Sequence, residues 1–251
     1  MSQRVDRSFI GRGPVYIKLK SNDGGFLPVG NCSNLECSFD EEEQTLQDFT
    51  SASGGNANAL TEVSAFSGTM VMHDYSPENL ALALRGTVAF EAAGAVTAEA
   101  HGSNGVVGEF IPFSYLRDAT ENLTVVKNDD SALEEGTDYT VENNGIIVLG
   151  AGGIDATGVK FTYTKHDSEV MEALTTGGLE YSLLFNGLNT AQGGTPVQIE
   201  IHRLKFSPAQ GLQFITESFG EMSVDFEVLS DATKTGTGIS KFMKVHQVAP
   251  A

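Results

Sequence analysis

One helix signal, set in a chain that otherwise reads as strands, constrains this 251-residue sequence more than any other feature. Within residues 73–86, Ser76 is placed to cap a helix N-terminus and Pro77 suits the first helical position. Glu78 complements the positive end of the dipole, and Gly86 suits a left-handed residue just past the end. Leu80, Ala81 and Leu84 fall on one face of that helix, which is expected to lie on a sheet.

The surroundings alternate with a period of two. Val15, Ile17 and Leu19 alternate with Tyr16, Lys18 and Lys20, and Asn22, Asp23, Gly24 and Gly25 supply a turn toward residues 26–29, which predicts an opening hairpin. A longer strand follows, with Leu35, Cys37 and Phe39 on one face and Asn34, Glu36, Ser38, Asp40 and Glu42 on the other. Its return partner is expected over residues 62–73. Between them residues 44–61 carry Leu46, Phe49 and Leu60 around a Gly/Ser/Asn-rich centre, which reads as a long mobile loop that cannot bury its own apolar groups.

After the helix, residues 91–104 are small and Gly/Ala-rich and suit a connector. From about 106 to 166 the texture changes to short strands with tight turns, among them the hairpin signal at Asn144 and Gly145. The expected organisation is therefore a main domain in two parts, residues 1–105 and 167–251, interrupted by a small β module at 106–166. Beyond Gly178 the long strands return. Val197, Ile199 and Ile201 oppose Gln198, Glu200 and His202, and Met222, Val224, Phe226 and Val228 oppose Ser223, Asp225 and Glu227. The fold class is mainly β, a sandwich or barrel with one flanking α-helix.

With 15 Lys and Arg against 33 Asp and Glu, the net charge of −18 argues against a surface that grips nucleic acid or anionic lipid. No apolar run follows the charges of residues 1–7, so no secretory signal is expected, and residues 79–96 are broken by Arg85, Gly86 and Glu91 and fall short of a membrane span. Cys32 and Cys37, five apart in one strand, are expected on opposite faces, unbridged, as in a reducing cytoplasm.

Catalytic chemistry is hard to find. His73, His101, His166, His202 and His246 show no metal-ligand spacing, and no nucleophile elbow, P-loop or dinucleotide glycine pattern occurs. His73 with Asp74, and His166 with Asp167, are adjacent pairs whose side chains diverge at strand ends. No cofactor is implied. The densest carboxylate run, Asp40 to Glu43, lacks the staggered ligands and glycine turn of a calcium loop and reads first as a solvated rim. Its acid recurs, however, on the wet faces of three long strands: Glu36, Asp40 and Glu42, then Glu200, then Asp225 and Glu227. One carboxylate-rich sheet face is expected.

The strand pair around a long loop, followed by Met72-His73-Asp74-Tyr75-Ser76-Pro77-Glu78-Asn79-Leu80-Ala81-Leu82-Ala83-Leu84-Arg85-Gly86, resembles the major tail tube proteins of long-tailed bacteriophages. The segment Phe185-Asn186-Gly187-Leu188-Asn189 and the strand ending Val228-Leu229-Ser230-Asp231 are similar to them as well. The resemblance implies a β-sandwich subunit, six to a ring, with rings stacked into a hollow tube that conducts DNA during ejection. It implies copies of the same chain as partners, with the tape measure protein and viral DNA in the bore, tail terminator and distal tail proteins at the ends, and no membrane. The location would be the virion tail, assembled in the host cytoplasm. Glu36, Asp40, Glu42, Glu200, Asp225 and Glu227 would then line the bore, Leu46, Phe49 and Leu60 would stack rings, and the module would sit outside. A single-ring tail component or a secretion-system tube would share such a fold. An Ig-like decoration or adhesion module would account for residues 106–166 alone, and an enzyme is the most distant alternative.

Overall fold

The computed structural model describes residues 7–21, 23–50, 54–150 and 152–249. Residues 1–6, Asn22 of the expected turn and residues 51–53 of the expected loop lie outside that set. The chain is mainly β, with a large antiparallel sheet, smaller sheets and one short helix. It divides into two compact units, one from the described residues up to Val88 and from Met171 onward, the other Ala89–Val170.

The first unit carries β1 (Gly11–Arg12), β2 (Val15–Leu19), β3 (Leu27–Pro28), β4 (Cys32–Gln47), β5 (Asn56–Met72) and the helix α1 (Pro77–Leu84). The second holds most of β6 (Thr87–Glu91), then β7 (Gly94–His101), β8 (Phe110–Pro112), β9 (Thr124–Lys127), β10 (Tyr139–Glu142), β11 (Gly145–Val148) and β12 (Val159–Lys165). After β13 (Ser168–Glu172) the first unit resumes with β14 (Glu180–Asn189), β15 (Thr195–Phe206), β16 (Met222–Val228) and β17 (Met243–Gln247).

Among the described residues nine strands join in one sheet, in the order β3-β2-β14-β15-β16-β5-β4, with β1 paired to β14 and β17 to β15. The register is set by a dry face. Phe39 faces Phe66, Leu35 faces Met70, and Gly68 sits between Cys37 on β4 and Phe226 on β16. Met70, Met72, Met222, Val224, Phe226, Leu204 and Phe206 are buried in one cluster, to which α1 adds Leu82 and Ala83. A Cβ on Gly68 would lie 2.4 Å from both the Glu36 carbonyl and the Phe226 ring, so only glycine lets that ring cross the strand.

The helix caps differ from expectation at one end. The Ser76 side chain accepts from the Asn79 amide at 3.3 Å and Pro77 opens the helix, but the left-handed residue is Arg85, at φ 50°. Arg85 is held there by its guanidinium, whose Nε and Nη2 donate to the Phe206 carbonyl at 3.1 and 2.8 Å. Gly86 is needed for a close approach instead, since a Cβ would lie 2.4 Å from the Glu172 carbonyl. The buried face is Asn79, Leu82 and Ala83, with Leu80 half-buried against the core and Ala81 and Leu84 also half-buried. Buried Asn79 is compatible with that face because its amide donates to the carbonyls of Val29 and Asp74, both at 2.9 Å.

Three further expectations are corrected. Residues 44–61 are mostly strand, because the β4–β5 ladder runs on to Leu46 opposite Asn58 and Gln47 opposite Asn56. Cys32 and Cys37 both pack on the core, since a register shift between Cys32 and Asn34 resets the alternation; both are free, and burial pushes the Cys32 thiol up to about 11. The Gly/Ala-rich residues 91–104 contain β7, which pairs with β12, so the second unit begins near Ala89 rather than at 106 and ends at Val170 rather than at 166. Small residues suit β7 there because Ala95 and Ala100 lie opposite Thr164 and Lys160 in a half-exposed ladder.

The second unit has two three-stranded sheets, β10-β11-β8 and β7-β12-β9, around its own core of Ile111, Phe113, Val125, Ile146, Phe161 and Tyr163 among others. The Phe113 ring meets Phe161 edge-on with centroids 4.9 Å apart. The expected hairpin is present with Glu142 opposite Gly145.

Two stability tests follow from these cores. Phe226→Ala is expected to cost about 3 to 5 kcal/mol in urea unfolding, the usual range for a buried aromatic truncated to alanine. The excised Ala89–Val170 fragment is expected to unfold cooperatively on heating, and a broad, probe-dependent melt would show that its core depends on the rest of the chain.

Candidate functional site

Wet-face residues of the large sheet form rows across the strands. Glu36 on β4 is opposite Thr69 on β5, which is opposite Asp225 on β16. The next row runs Ser38, Ser67, Glu227, Lys205 and Glu180, through β4, β5, β16, β15 and β14. Asp40 and Glu42 continue the acidic column along β4. Glu36, Asp40, Glu42 and Glu227 are exposed and Asp225 is half-buried, accepting from the Thr69 hydroxyl at 2.7 Å. Five of the six carboxylates expected together therefore share one open face over β4 and β16.

Glu200 does not join them. Only Leu204, Lys205 and Phe206 of β15 pair with β16, whereas Glu200 lies opposite Lys244 of β17. Its carboxylate is half-buried, 3.5 Å from Lys234 Nζ and 3.3 Å from His202 Nδ1. Burial opposes its charge, yet Lys234 and His202 outweigh that and hold its carboxyl below the ordinary range. His202 was expected on a wet face but is 3% exposed. Here β15 carries two residues, His202 and Arg203, against Ser182 of β14, and the His202 carbonyl accepts from Ser182 Oγ at 2.8 Å and Lys20 Nζ at 3.3 Å.

Beyond the middle of the sheet the β4–β5 pair continues with both sides in solvent. From Asp40 on β4, and over residues 56–64 of β5, every described residue is exposed. The register skips Ser64 between Asp40 and Glu41, a bulge that twists the hairpin as it leaves the sheet. This arm presents Leu46, Leu60 and Val63, with Phe49 at its tip 83% exposed. Leu60 lies opposite Gln44 and Leu46 opposite Asn58, so the two leucines are diagonal neighbours on one side. Among the described residues no strand pairs with the outer edge of β4.

A second projecting element escaped the reading of the sequence. The connection 207–221 is pinned at both ends: the Ser207 amide donates to the Asp225 carbonyl and the Ala209 amide to Ala83, at 2.8 and 2.7 Å. At its far end the Tyr75 hydroxyl donates to the Glu221 carbonyl at 2.9 Å. Between these anchors Phe214 is 80% exposed and Ile215 and Phe219 97%. The signal was an apolar pair and a phenylalanine in a segment with turn composition and no strand alternation.

Many acids serve turns rather than surfaces. Asp118, Asp155 and Asp231 each accept from both the amide and the hydroxyl of the threonine two residues on, the repeated Asp-x-Thr pattern. In the second unit Tyr163 donates to Glu99 at 2.8 Å, with His101 Nε2 3.3 Å from the same carboxylate. No group of three or more His, Cys, Asp or Glu among the described residues could hold a metal ion.

Lys20 and Asp231 tie β2 to the segment before β17, with 2.6 Å between Nζ and Oδ2. Burial opposes the Asp231 charge, but the Lys20 ammonium and the Thr233 hydroxyl and amide outweigh it and hold the carboxyl well below its usual range. A folded-state value below the unfolded one gives stability that is full above about pH 4 and is lost as the pH falls toward the folded value. Asp231→Asn is therefore expected to lower the melting temperature at pH 7, with the gap to the parent protein shrinking at pH values below about 4.

A family model described as "Protein of unknown function UCP028589" matches residues 8–246, and the chain belongs to that family. No curated protein matches it.

Proposed function

We propose that this chain is a structural subunit that assembles with copies of itself, in hexameric rings stacked into a hollow phage tail tube that conducts DNA. The observation that carries the reading is the β4–β5 arm: a hairpin that leaves its own sheet with apolar side chains on show, which no described residue of its own unit covers. The long outer edge of β4 supports it too, because an unpaired strand of this length is a template for another strand, and closure into a ring removes such edges. The similarity of residues 72–86 to tail tube proteins names the kind of assembly.

The open acidic face fits the same reading. Facing a bore, Glu36, Asp40, Glu42, Asp225 and Glu227 repel phosphates, so that DNA slides without binding. The repulsion acts within a screening length of about 8 Å at physiological ionic strength, so it concerns DNA that strays toward the wall. Glu200, held by Lys234 and His202, is left out of this lining. The tape measure protein would occupy the same bore before ejection, and the terminator and distal tail proteins the tube ends.

The separate core of the second unit favours an additional role for that unit as an exterior decoration or adhesion module.

Negative-stain microscopy of the purified chain tests the reading: filaments of uniform width are expected, and isolated particles at every concentration would overturn it. Phe49→Ala is expected to leave a folded subunit that polymerises poorly. Burying such a side chain fully contributes about 1.5 to 3 kcal/mol, so the critical concentration should rise by at least about tenfold. Replacing Glu36, Asp40, Glu42 and Glu227 with lysine should leave assembly intact but make the tubes retain DNA in a filter-binding assay.

A further inference from the structure

The first unit carries, besides the arm, an apolar tip that no described residue covers and an open cleft that no described residue fills. The tip is Phe214, Ile215 and Phe219 with Glu217 among them, on a loop whose two stems are hydrogen-bonded to the body. The cleft, of about 800 Å³, lies between residues 9–15 and 30–35, and its lining mixes apolar Phe9, Leu35 and Phe185 with polar Asn31, Asn34 and Arg12. That volume lies within the range of roughly 300 to 1,000 Å³ that buries an organic ligand, enough for a few side chains.

We propose that the tip of the 207–221 loop of one copy seats in this cleft of a second copy, with Glu217 facing Arg12. The proposal rests on the self-assembly reading and names a contact that the arm does not make. Its occupant is argued from charge and from exposure. Arg12 is exposed and, among the described residues, forms no ion pair, nor does Glu217. In a chain of net charge −18, an unpaired arginine beside an open cleft selects an acidic visitor, and an apolar tip with a single carboxylate matches it. A contact within one chain is opposed by the exposure itself, because a tip seated in its own cleft could not remain almost fully in solvent while the cleft stays open.

Tip and cleft are different surfaces, so the contact is heterologous: it passes from copy to copy in one direction and gives a ring if the rotation closes, or a filament if it does not. The tip offers two phenylalanine rings, a residue type enriched at interface cores, with a charged pair setting orientation.

The test uses full-length protein in which Cys32→Ala and Cys37→Ala remove the native thiols. Two preparations with different affinity tags, one bearing Ile10→Cys and one Ile215→Cys, are mixed and oxidised; both replaced side chains are exposed. A mixed disulfide carrying both tags is expected to predominate over either homodimer. In parallel, Arg12→Glu and Glu217→Arg are each expected to weaken association several-fold by sedimentation velocity, and the double exchange to restore it. If the parent protein assembles but gives no mixed disulfide and ignores the charge exchange, this contact is overturned and the self-assembly reading stands. A parent protein that stays monomeric overturns both. A disulfide within the monomer carrying both Ile10→Cys and Ile215→Cys would show that the tip covers its own cleft, and also overturns the proposal.

Discussion

A side-chain period of two, held in register across β4, β5 and β16, decides almost everything else in the first unit. Each residue on these strands faces either the buried cluster of methionines and phenylalanines or solvent, and a one-residue slip would exchange the two faces entirely. Gly68 is where this constraint is tightest. The Phe226 ring lies across it and the Glu36 carbonyl abuts it, so this register of the three strands needs a glycine at that position. Once that register holds, the placement of Glu36 beside Thr69 and Asp225 follows with no further interaction among the acids themselves.

Bulges then edit what the alternation dictates. The shift after Cys32 brings a second thiol onto the core, the extra residue in β15 buries His202, and the bulge at Ser64 turns the end of the hairpin away from the sheet. The two later edits each have a polar anchor. The His202 carbonyl is held by Ser182 and Lys20, and the Ser64 hydroxyl donates to the Asp40 carbonyl at 3.2 Å. The shift at Cys32 arises in its pairing with β5 and the anchors of His202 sit on residues distant in sequence, which is why strict alternation placed Cys32 and His202 on the wrong sides.

Strand alternation, the helix start and the division by an inserted module were legible in the sequence because they rest on local chemistry: Ser76 and Pro77 at the cap, period-two burial in β5 and β16, and the turn residues Asn144 and Gly145. The acidic face was legible for the same reason at five positions. Glu200 was misplaced because its surroundings come from Lys234 and β17, contacts no periodicity announces. Residues 44–47 and 56–61 read as loop since their polar, small composition resembles one, yet cross-strand pairing overrides weak local preference. Beyond the caps, the helix itself was half-read: the buried Asn79 is permitted only by two carbonyls supplied from outside the helix, at Val29 and Asp74.

The surfaces left open act in opposite senses. Copies of a chain with net charge −18 repel one another, whereas the arm, the 207–221 tip and the β4 edge each offer a small attraction. A stable protein interface buries roughly 1,200 to 2,000 Å², more than a few exposed side chains supply. In the assembly proposed above, an encounter through one such element alone would be weak, and the charge would keep it brief. In a ring the last subunit is held at two sides at once, so that its second contact forms at the high effective concentration of an intramolecular event. In the proposed assembly, repulsion spread over the whole surface and attraction confined to a few projecting elements would thus favour a closed ring over random association.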